Sequence, residues 1–367
     1  MKKMKQLSDS NTFSGAFLEL VRAGLWEKEA RLSLFGELDY EEVIRLAEEQ
    51  SVVGLVIAGI EQVKDVKIQQ EVVLQLIGSA LQIEQRNNEM NAFIPNLFRK
   101  LQLGGVDALL VKGQGVAQCY EKPLWRTSGD IDLLLDSENY EKAKKVLIPI
   151  AYDIEQEDVY KKHQALKIMG VEVELHGRMP FGLSKNADEV VDDVIEKALR
   201  EHASLELDKT VAVPSIDEHV FLVFTHFLRH FFIEGVGLRQ ICDWCRLLWT
   251  YRNSLNHGLL ESRIRRAGLM SEWLAFAALA VDYLGMPVET MPFYDLRFKT
   301  KGSRILKRVM KSGNFGHNND LSYRSKFKGL AYKLVATWRR FVDFVSLMPV
   351  FPLDAPRFFV GYLKNKV

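Results

Sequence analysis

At 367 residues the chain is too long for one ordinary hydrophobic core, and two or three structural units are expected. Its 47% hydrophobic and 26% charged residues can bury a sizeable core, while only 10 prolines and the lack of a low-complexity run exclude extended disorder. A net charge of +1 gives a whole-chain field that draws the protein neither to nucleic acid nor to a membrane surface.

The opening stretch, MKKMKQLSDSNTF, is basic with no apolar run behind it, which reads against a secretory signal. Residues 1–103 read as an N-terminal helical region. Asp39, followed by Glu41 and Glu42, marks a helix start with acids in the first turn, where the macrodipole favours them. Val72, Leu76, Ile77, Leu81, Ile83, Ile94 and Leu97 keep a rough helical period along one long segment. That segment is expected to form a helical layer packed on the next unit of the chain.

The pattern changes at Gly104-Gly105, where a mixed α/β unit over residues 104–213 begins. Val106 to Val111 is an apolar run of strand length, followed by Lys112-Gly113-Gln114-Gly115 and a helix-like stretch to Tyr120. Ile131 to Leu135 is a second strand, closed by Asp136-Ser137 as the cap of a helix that ends at Pro149. Gln164 to Met169 and Val171 to Leu175 read as two further strands joined at Gly170. In the second of these, Val171, Val173 and Leu175 alternate with Glu172, Glu174 and His176.

Residues 214–367 read as a C-terminal helical domain. Ser215-Ile-Asp-Glu218 has the form of a capping box, and a later helix spans about Leu238 to Tyr251. Breaks fall at Gly285-Met-Pro287, at the loop containing Gly313-Asn-Phe-Gly316, and between Pro349 and Pro356. His226 and His230 have metal-like i,i+4 spacing but sit among phenylalanines, so a helix-packing role is expected. Cys242-x-x-Cys245 lacks a second pair and reads as buried core thiols. Three sparse cysteines and no membrane-length apolar run, the stretch from Phe341 to Phe351 included, point to a cytoplasmic protein. Between Arg297 and Arg340 there are 13 Lys/Arg and one acid, Asp320, a run that reads as a solvated helical face.

The chemistry concentrates in the α/β unit. Asp130 and Asp132 are two apart on a strand, so period two puts both carboxylates on one face, where a divalent cation relieves their repulsion. Such hard oxygen ligands suit Mg²⁺ or Mn²⁺. Glu174, on the polar face of its own strand, is the best third ligand for a phosphoryl-transfer metal centre, with Glu172 second. Lys112-Gly113-Gln114-Gly115, between a strand and a helix, can bring backbone N–H groups and a lysine charge to a phosphate, and Arg126 could grip the same anion bidentately.

The sequence from Val111-Lys-Gly-Gln-Gly-Val-Ala117 through Arg126-Thr-Ser-Gly-Asp-Ile-Asp-Leu-Leu-Leu135 resembles the signature of the DNA polymerase β-like nucleotidyltransferase superfamily. Within it the chain looks most like a bacterial family of uncharacterised nucleotidyltransferases. Glu172-Val-Glu-Leu-His176 and Gly237-Leu-Arg-Gln-Ile-Cys-Asp243 resemble two further motifs of that family, and the resemblance covers about residues 100–250. It implies an α+β fold: a small mixed-sheet nucleotidyltransferase core flanked by helical regions. It also implies metal ligation and catalysis by Asp130, Asp132 and Glu174, and nucleotide contacts from Lys112, Gly113, Gln114, Gly115, Arg126, Ser128, Gly129, His176, Arg239 and Asp243. The implied reaction moves a nucleoside monophosphate from an NTP, with Mg²⁺ or Mn²⁺, to a hydroxyl of a small-molecule, sugar or protein acceptor and releases pyrophosphate. Gln114 departs from the superfamily pattern, which often has Ser or Gly at that place, so the expected phosphate anchor either passes to Lys112 and backbone N–H groups or is weaker. The alternative expectation is a catalytically inactive nucleotide-binding regulatory module. A nucleic-acid partner has least support, since no nucleic-acid module accompanies the basic run.

Overall fold

The computed structural model describes residues 15–159, 162–205, 207–318 and 329–364. The opening stretch up to residue 14, and the part of the basic run from 319 to 328, lie outside the described residues. The chain is α+β, a small mixed sheet flanked by helices on both sides in sequence. Helix α1 covers 15–26, followed by α2 (Tyr40–Glu49), α3 (Val53–Glu61) and α4 (Gln70–Leu103). Asp39 caps α2 as expected, its carboxylate accepting from the backbone N–H groups of Glu41 and Glu42.

Helix α4 runs for 34 residues, through Pro95. Only part of the expected apolar stripe is buried: Leu76, Ile94 and Leu97 pack inward, whereas Ile77 and Leu81 are exposed. The helix is longer than the surface it covers, so its two ends present different faces. Its C-terminal half meets the sheet through Met90, Ile94, Leu97, Phe98 and Leu101, and Asn87 falls on that same stripe.

The sheet is built from β1 (Leu109–Val111), β2 (Asp130–Leu134), β3 (Asp153–Ile154), β4 (His163–Ile168) and β5 (Val171–His176), in the order β1-β2-β5-β4-β3. Only β2 and β5 run parallel; the other pairings are antiparallel. The five-residue helix α5 (Gly113–Ala117) follows β1, and α6 (Ser137–Leu147) follows β2, capped by Asp136 as expected. Strand β1 is shorter than its apolar run, because Val106 to Ala108 lie in the loop that follows α4, with Val106 and Ala108 buried there. Strand β3 was not anticipated: two exposed residues give no periodicity to read.

Period two divides the sheet cleanly. Leu110, Ile131, Leu133, Leu166, Val173 and Leu175 face α4 and α6, whose Tyr140, Ala143 and Leu147 close that core. Each such buried apolar side chain contributes about 1.5–3 kcal/mol relative to exposure. The opposite face carries Asp130, Asp132, Glu172, Glu174 and His176, and lies toward the C-terminal helices.

After β5 come α7 (Lys185–Arg200), the hairpin β6 (His202–Ser204) with β7 (Ala212–Pro214), and α8 (Ile216–Ile233). The remaining helices are α9 (Leu238–Thr250), α10 (His257–Ala267), α11 (Met270–Asp282), α12 (Lys299–Ser312), α13 (Gly329–Leu347) and α14 (Asp354–Lys364). One core joins α1–α3 to these helices through Phe17, Leu20, Phe221, Phe224, Trp244 and Trp273. Cys119, Cys242 and Cys245 are all buried. No helix of the described residues is long and apolar enough to cross a membrane.

The capping box at α8 does not form. The Ser215 hydroxyl instead donates to the Glu201 carbonyl at 2.8 Å, and Glu218 is buried in an ion pair with Arg263 at 2.6 Å. Beside it, His219 is buried with no hydrogen-bond partner for Nε2 among the described residues. Burial pushes its pKa down to about 4 from an ordinary 6.5. Its folded-state pKa is depressed, so the stability it allows is fully present above pH 6.5 and is lost as pH falls toward 4, because the unfolded chain binds the extra proton. At pH 5 this costs about 2 kcal/mol. Urea unfolding at pH 7.5 and pH 5 should show the His219→Leu variant losing about that much less stability between the two pH values than the wild type; equal losses would place the ring in a polar environment.

Candidate active site

The parallel pairing of β2 with β5 sets the register that makes the site. Asp130 lies opposite Glu172, Asp132 opposite Glu174, and Leu134 opposite His176. Four carboxylates therefore share one face of two adjacent strands. Carboxylate oxygens of Asp130, Asp132 and Glu174 come within 4.8 Å of one another, as the sequence pattern led one to expect; Glu172 stays outside that group.

Crowded anions in a buried place need compensation. Lys112 Nζ stands 2.6 Å from Oδ1 of Asp132, and His176 Nε2 stands 2.8 Å from the same oxygen. His176 also reaches Glu174 at 3.2 Å, and His163, across the sheet on β4, reaches the same Glu174 oxygen at 3.2 Å. Burial alone would raise the Asp132 pKa, but Lys112 and the His176 hydrogen bond outweigh it and hold the carboxyl below its usual range. Glu174 is treated alike: the hydrogen bonds from His163 and His176 overcome burial and hold it well below the usual carboxylate range. At Asp130 the Asp132 charge and burial outweigh the pull of Lys112 and Arg239, and push its carboxyl up. For His176, the two carboxylates outweigh burial and raise the imidazole. The arrangement holds basic side chains against Asp132 and Glu174 and leaves Asp130 without an ion pair among the described residues, a donor set that fits a divalent cation.

Lys112 gets there by a sharp backbone turn. It has φ +60 and Gly113 has φ +43, both in the left-handed region. Glycine tolerates that conformation freely; a lysine there is a strained position held by its surroundings. Helix α5 behind this turn is only five residues long, and the Lys112 carbonyl accepts from the N–H groups of Gly115 and Val116 at 2.9 and 3.3 Å. The expected helix to Tyr120 with a phosphate-binding N-terminus is thus reduced to one tight turn. Gly115 lies within α5, and a Cβ there would make ordinary contacts only.

Several residues expected at a nucleotide instead hold the framework. Gln114 is buried; its amide donates to Asn87 at 3.0 Å and accepts from the Ser128 hydroxyl at 3.3 Å. Arg126 donates to Asp243 from Nε at 2.9 Å and Nη2 at 2.7 Å, with both side chains almost wholly buried. Its fork is therefore committed to Asp243 rather than open to an anion. Tyr120 donates to the same carboxylate at 2.8 Å. Asp243 pairs with Arg126, and Arg239, its i−4 neighbour on α9, instead donates to the Thr127 carbonyl at 2.8 Å. Arg239 Nε is buried with no partner among the described residues. It lines a small cavity of about 50 Å³ together with Lys112, Gly129, Asp130, Asp132 and Phe315.

Four contributors carried little or no signal in the sequence. Asn87, on the buried stripe of α4, donates to the carbonyls of Leu124 and Arg126 at 2.7 and 2.8 Å, and Arg86 donates to the Gly129 carbonyl at 3.0 Å. These bonds fix the loop that leads into Asp130. A polar residue on an apolar helical stripe was the available signal. His226, expected in helix packing, has its Nε2 3.2 Å from Lys112 Nζ; the ammonium donates to a neutral ring whose pKa burial and Lys112 push far down. His163 fell just outside the strand expected from Gln164 to Met169, and the structure makes it the first residue of β4. A cleft of about 260 Å³ opens from His163, Glu174 and His176 and runs past Arg178, His226 and Arg229.

Removing the Asp243 charge should expose the structural role of its pair. Asp243→Asn leaves a buried guanidinium uncompensated and should cost about 3–5 kcal/mol in urea unfolding. A loss under about 1 kcal/mol, the range of an exposed pair, would mean that Arg126 has a solvated alternative.

Neither a curated protein nor a solved structure matches the chain. The sequence model of a family described as uncharacterised nucleotidyltransferase matches residues 36–285, which include the whole sheet, α4 with its loop clamp, and helices α8 and α9. With that match covering most of its length, and with the Asp-x-Asp strand registered against Glu174, the chain belongs to this uncharacterised nucleotidyltransferase family.

Proposed function

We propose that the protein is a metal-dependent nucleotidyltransferase that moves a nucleoside monophosphate from an NTP to an acceptor hydroxyl with release of pyrophosphate. The observation that carries this reading is the convergence of Asp130, Asp132 and Glu174 on one sheet face with cationic groups already held against them. A divalent cation, Mg²⁺ or Mn²⁺, held by Asp130, Asp132 and Glu174 would supply Lewis-acid stabilisation of the charge that develops on the transferring phosphoryl group.

The chain's own residues divide the remaining work. Lys112 is freed from Asp132 when another cation compensates that carboxylate, and its ammonium can then meet a phosphate as a point charge. Arg239, rather than Arg126, supplies the guanidinium beside Asp130, because its Nε is unengaged among the described residues. Gly113 and Gly129 keep the rim of this cavity low: at Gly129 nothing lies within 4 Å of where a Cβ would stand. His176 and His163 hold Glu174 ionised, so Glu174 accepts the acceptor's proton only weakly by itself; its main work is to position and to ligate. An acceptor reaching Glu174 comes along the 260 Å³ cleft lined by Arg178, His226 and Arg229. Gln114, Ser128 and Asp243 support these groups by holding the loop and Arg126 in place, and they touch no nucleotide.

One observation favours the second reading, a nucleotide-binding regulatory module without turnover: Gln114 and Arg126, two expected phosphate contacts, are turned into the framework. The two readings separate in one assay. With Mg²⁺ or Mn²⁺ and each of the four NTPs, pyrophosphate release should be measurable in the wild type. It should fall at least about a hundredfold in Asp130→Asn and in Asp132→Asn, the scale for losing a main electrostatic stabiliser of a transition state. NTP binding without any release in the wild type, across acceptors bearing hydroxyls, would establish the module instead.

A further inference from the structure

Next to the three-carboxylate group lies a second set of ligand atoms with different chemistry. His163 and His176 are cross-strand partners on β4 and β5, so their rings leave the same face of the sheet, with centroids 4.8 Å apart. Glu174, two residues before His176, projects from that face between them. Nε2 of each histidine is 3.2 Å from the same Glu174 oxygen, and the three ligand atoms lie within 4.8 Å of one another.

Those separations match what a bound ion would impose. An ion with bonds of about 2.0–2.1 Å to nitrogen and oxygen holds neighbouring tetrahedral ligands about 3.3 Å apart. Both histidine–glutamate edges are close to that length before any ion is present. Imidazole nitrogen suits zinc-like first-row ions and poorly suits Mg²⁺, whereas the neighbouring carboxylates suit Mg²⁺. Two adjacent groups sharing Glu174 therefore differ in what they select. The second one also has a way in: the His163 side chain is 32% exposed, and all three residues line the cleft.

We propose that His163, His176 and Glu174 form a transition-metal site, selective for a zinc-class ion over Mg²⁺, at the inner end of the cleft. In the metal-free state the His176 Nε2–H fills the gap by donating to Asp132 and Glu174. For the ion to bind, that proton and the Nε2 proton that His163 gives to Glu174 would both leave to solvent, so that each nitrogen offers its lone pair, while Lys112 remains to compensate Asp132. Three protein ligands leave a fourth position facing the cleft, as in catalytic rather than structural zinc sites. The existence of the site stands apart from nucleotidyl transfer; its use in orienting an acceptor hydroxyl rests on the function proposed above.

Co²⁺ is the probe, because its visible absorption reports coordination. Titrating the metal-free full chain with Co²⁺ in the presence of excess Mg²⁺ should show one equivalent bound with an intense low-symmetry visible spectrum. His163→Gln should lose that spectrum and weaken Co²⁺ binding at least about tenfold, and Asp130→Asn should keep both. His163→Cys guards against a variant that merely misfolds: it should add a thiolate-to-cobalt charge-transfer band in the near ultraviolet, which only direct ligation produces. An unchanged Co²⁺ affinity and spectrum in His163→Gln, complete displacement of Co²⁺ by Mg²⁺, or a folded His163→Cys without the band would each overturn the site. Co²⁺ binding of the expected kind with no pyrophosphate release in the wild type would instead overturn the nucleotidyl-transfer reading and leave the metal site standing.

Discussion

The structure depends on a conflict between charge and burial on one face of the sheet. Parallel pairing of β2 and β5 places Asp130, Asp132, Glu172 and Glu174 together, and Asp132 is only 3% exposed. Anions so placed would repel each other and resist leaving water. The protein answers from three directions: the Lys112 ammonium from the turn after β1, and hydrogen bonds from His176 on β5 and His163 on β4. The strained backbone at Lys112 accompanies its ammonium's contact with Asp132.

The surrounding helices make that arrangement rigid. Helix α4 packs under the sheet with its apolar stripe and, through Asn87 and Arg86, grips the loop that delivers Asp130. Helix α3 meets the same loop closely, for a Cβ on Gly54 would lie 1.8 Å from the Trp125 carbonyl oxygen. Helix α9 closes the other side by the Arg126–Asp243 pair, where Tyr120 donates to the same carboxylate. Buried and well bonded, such a network fixes one geometry rather than adding net stability. Helix α8 supplies His226 and the far wall of the cleft.

Much of the fold was legible because it depends on local period. The alternation in Val171–His176 named the polar face of β5 that carries both Glu172 and Glu174, and Asp136 and Asp39 marked helix starts that the structure has. What local pattern cannot carry is a partner on another element far along the chain. Arg126 reads as a phosphate contact until Asp243, 117 positions later, is brought to it. Gln114 looks like a weakened phosphate anchor and is in fact a buried link between α4 and Ser128. The Ser215 cap failed for the same reason: Glu218, which would complete it, is drawn to Arg263 on α10. His163 contributes through cross-strand register, which depends on a hairpin turn at Met169-Gly170 rather than on spacing.

The carboxylates of this sheet face require a compensating cation, and the metal-dependent reading proposed above has a divalent ion take the place of Lys112. Unfolding of Lys112→Met, with and without Mn²⁺, tests this most directly. In chelator the variant should be about 3–5 kcal/mol less stable than the wild type, because a buried carboxylate has lost its partner. Saturating Mn²⁺ should restore most of that loss, since a ligand that binds only the folded state stabilises it. A variant as stable as the wild type in chelator, or one that Mn²⁺ leaves unchanged, would contradict the account.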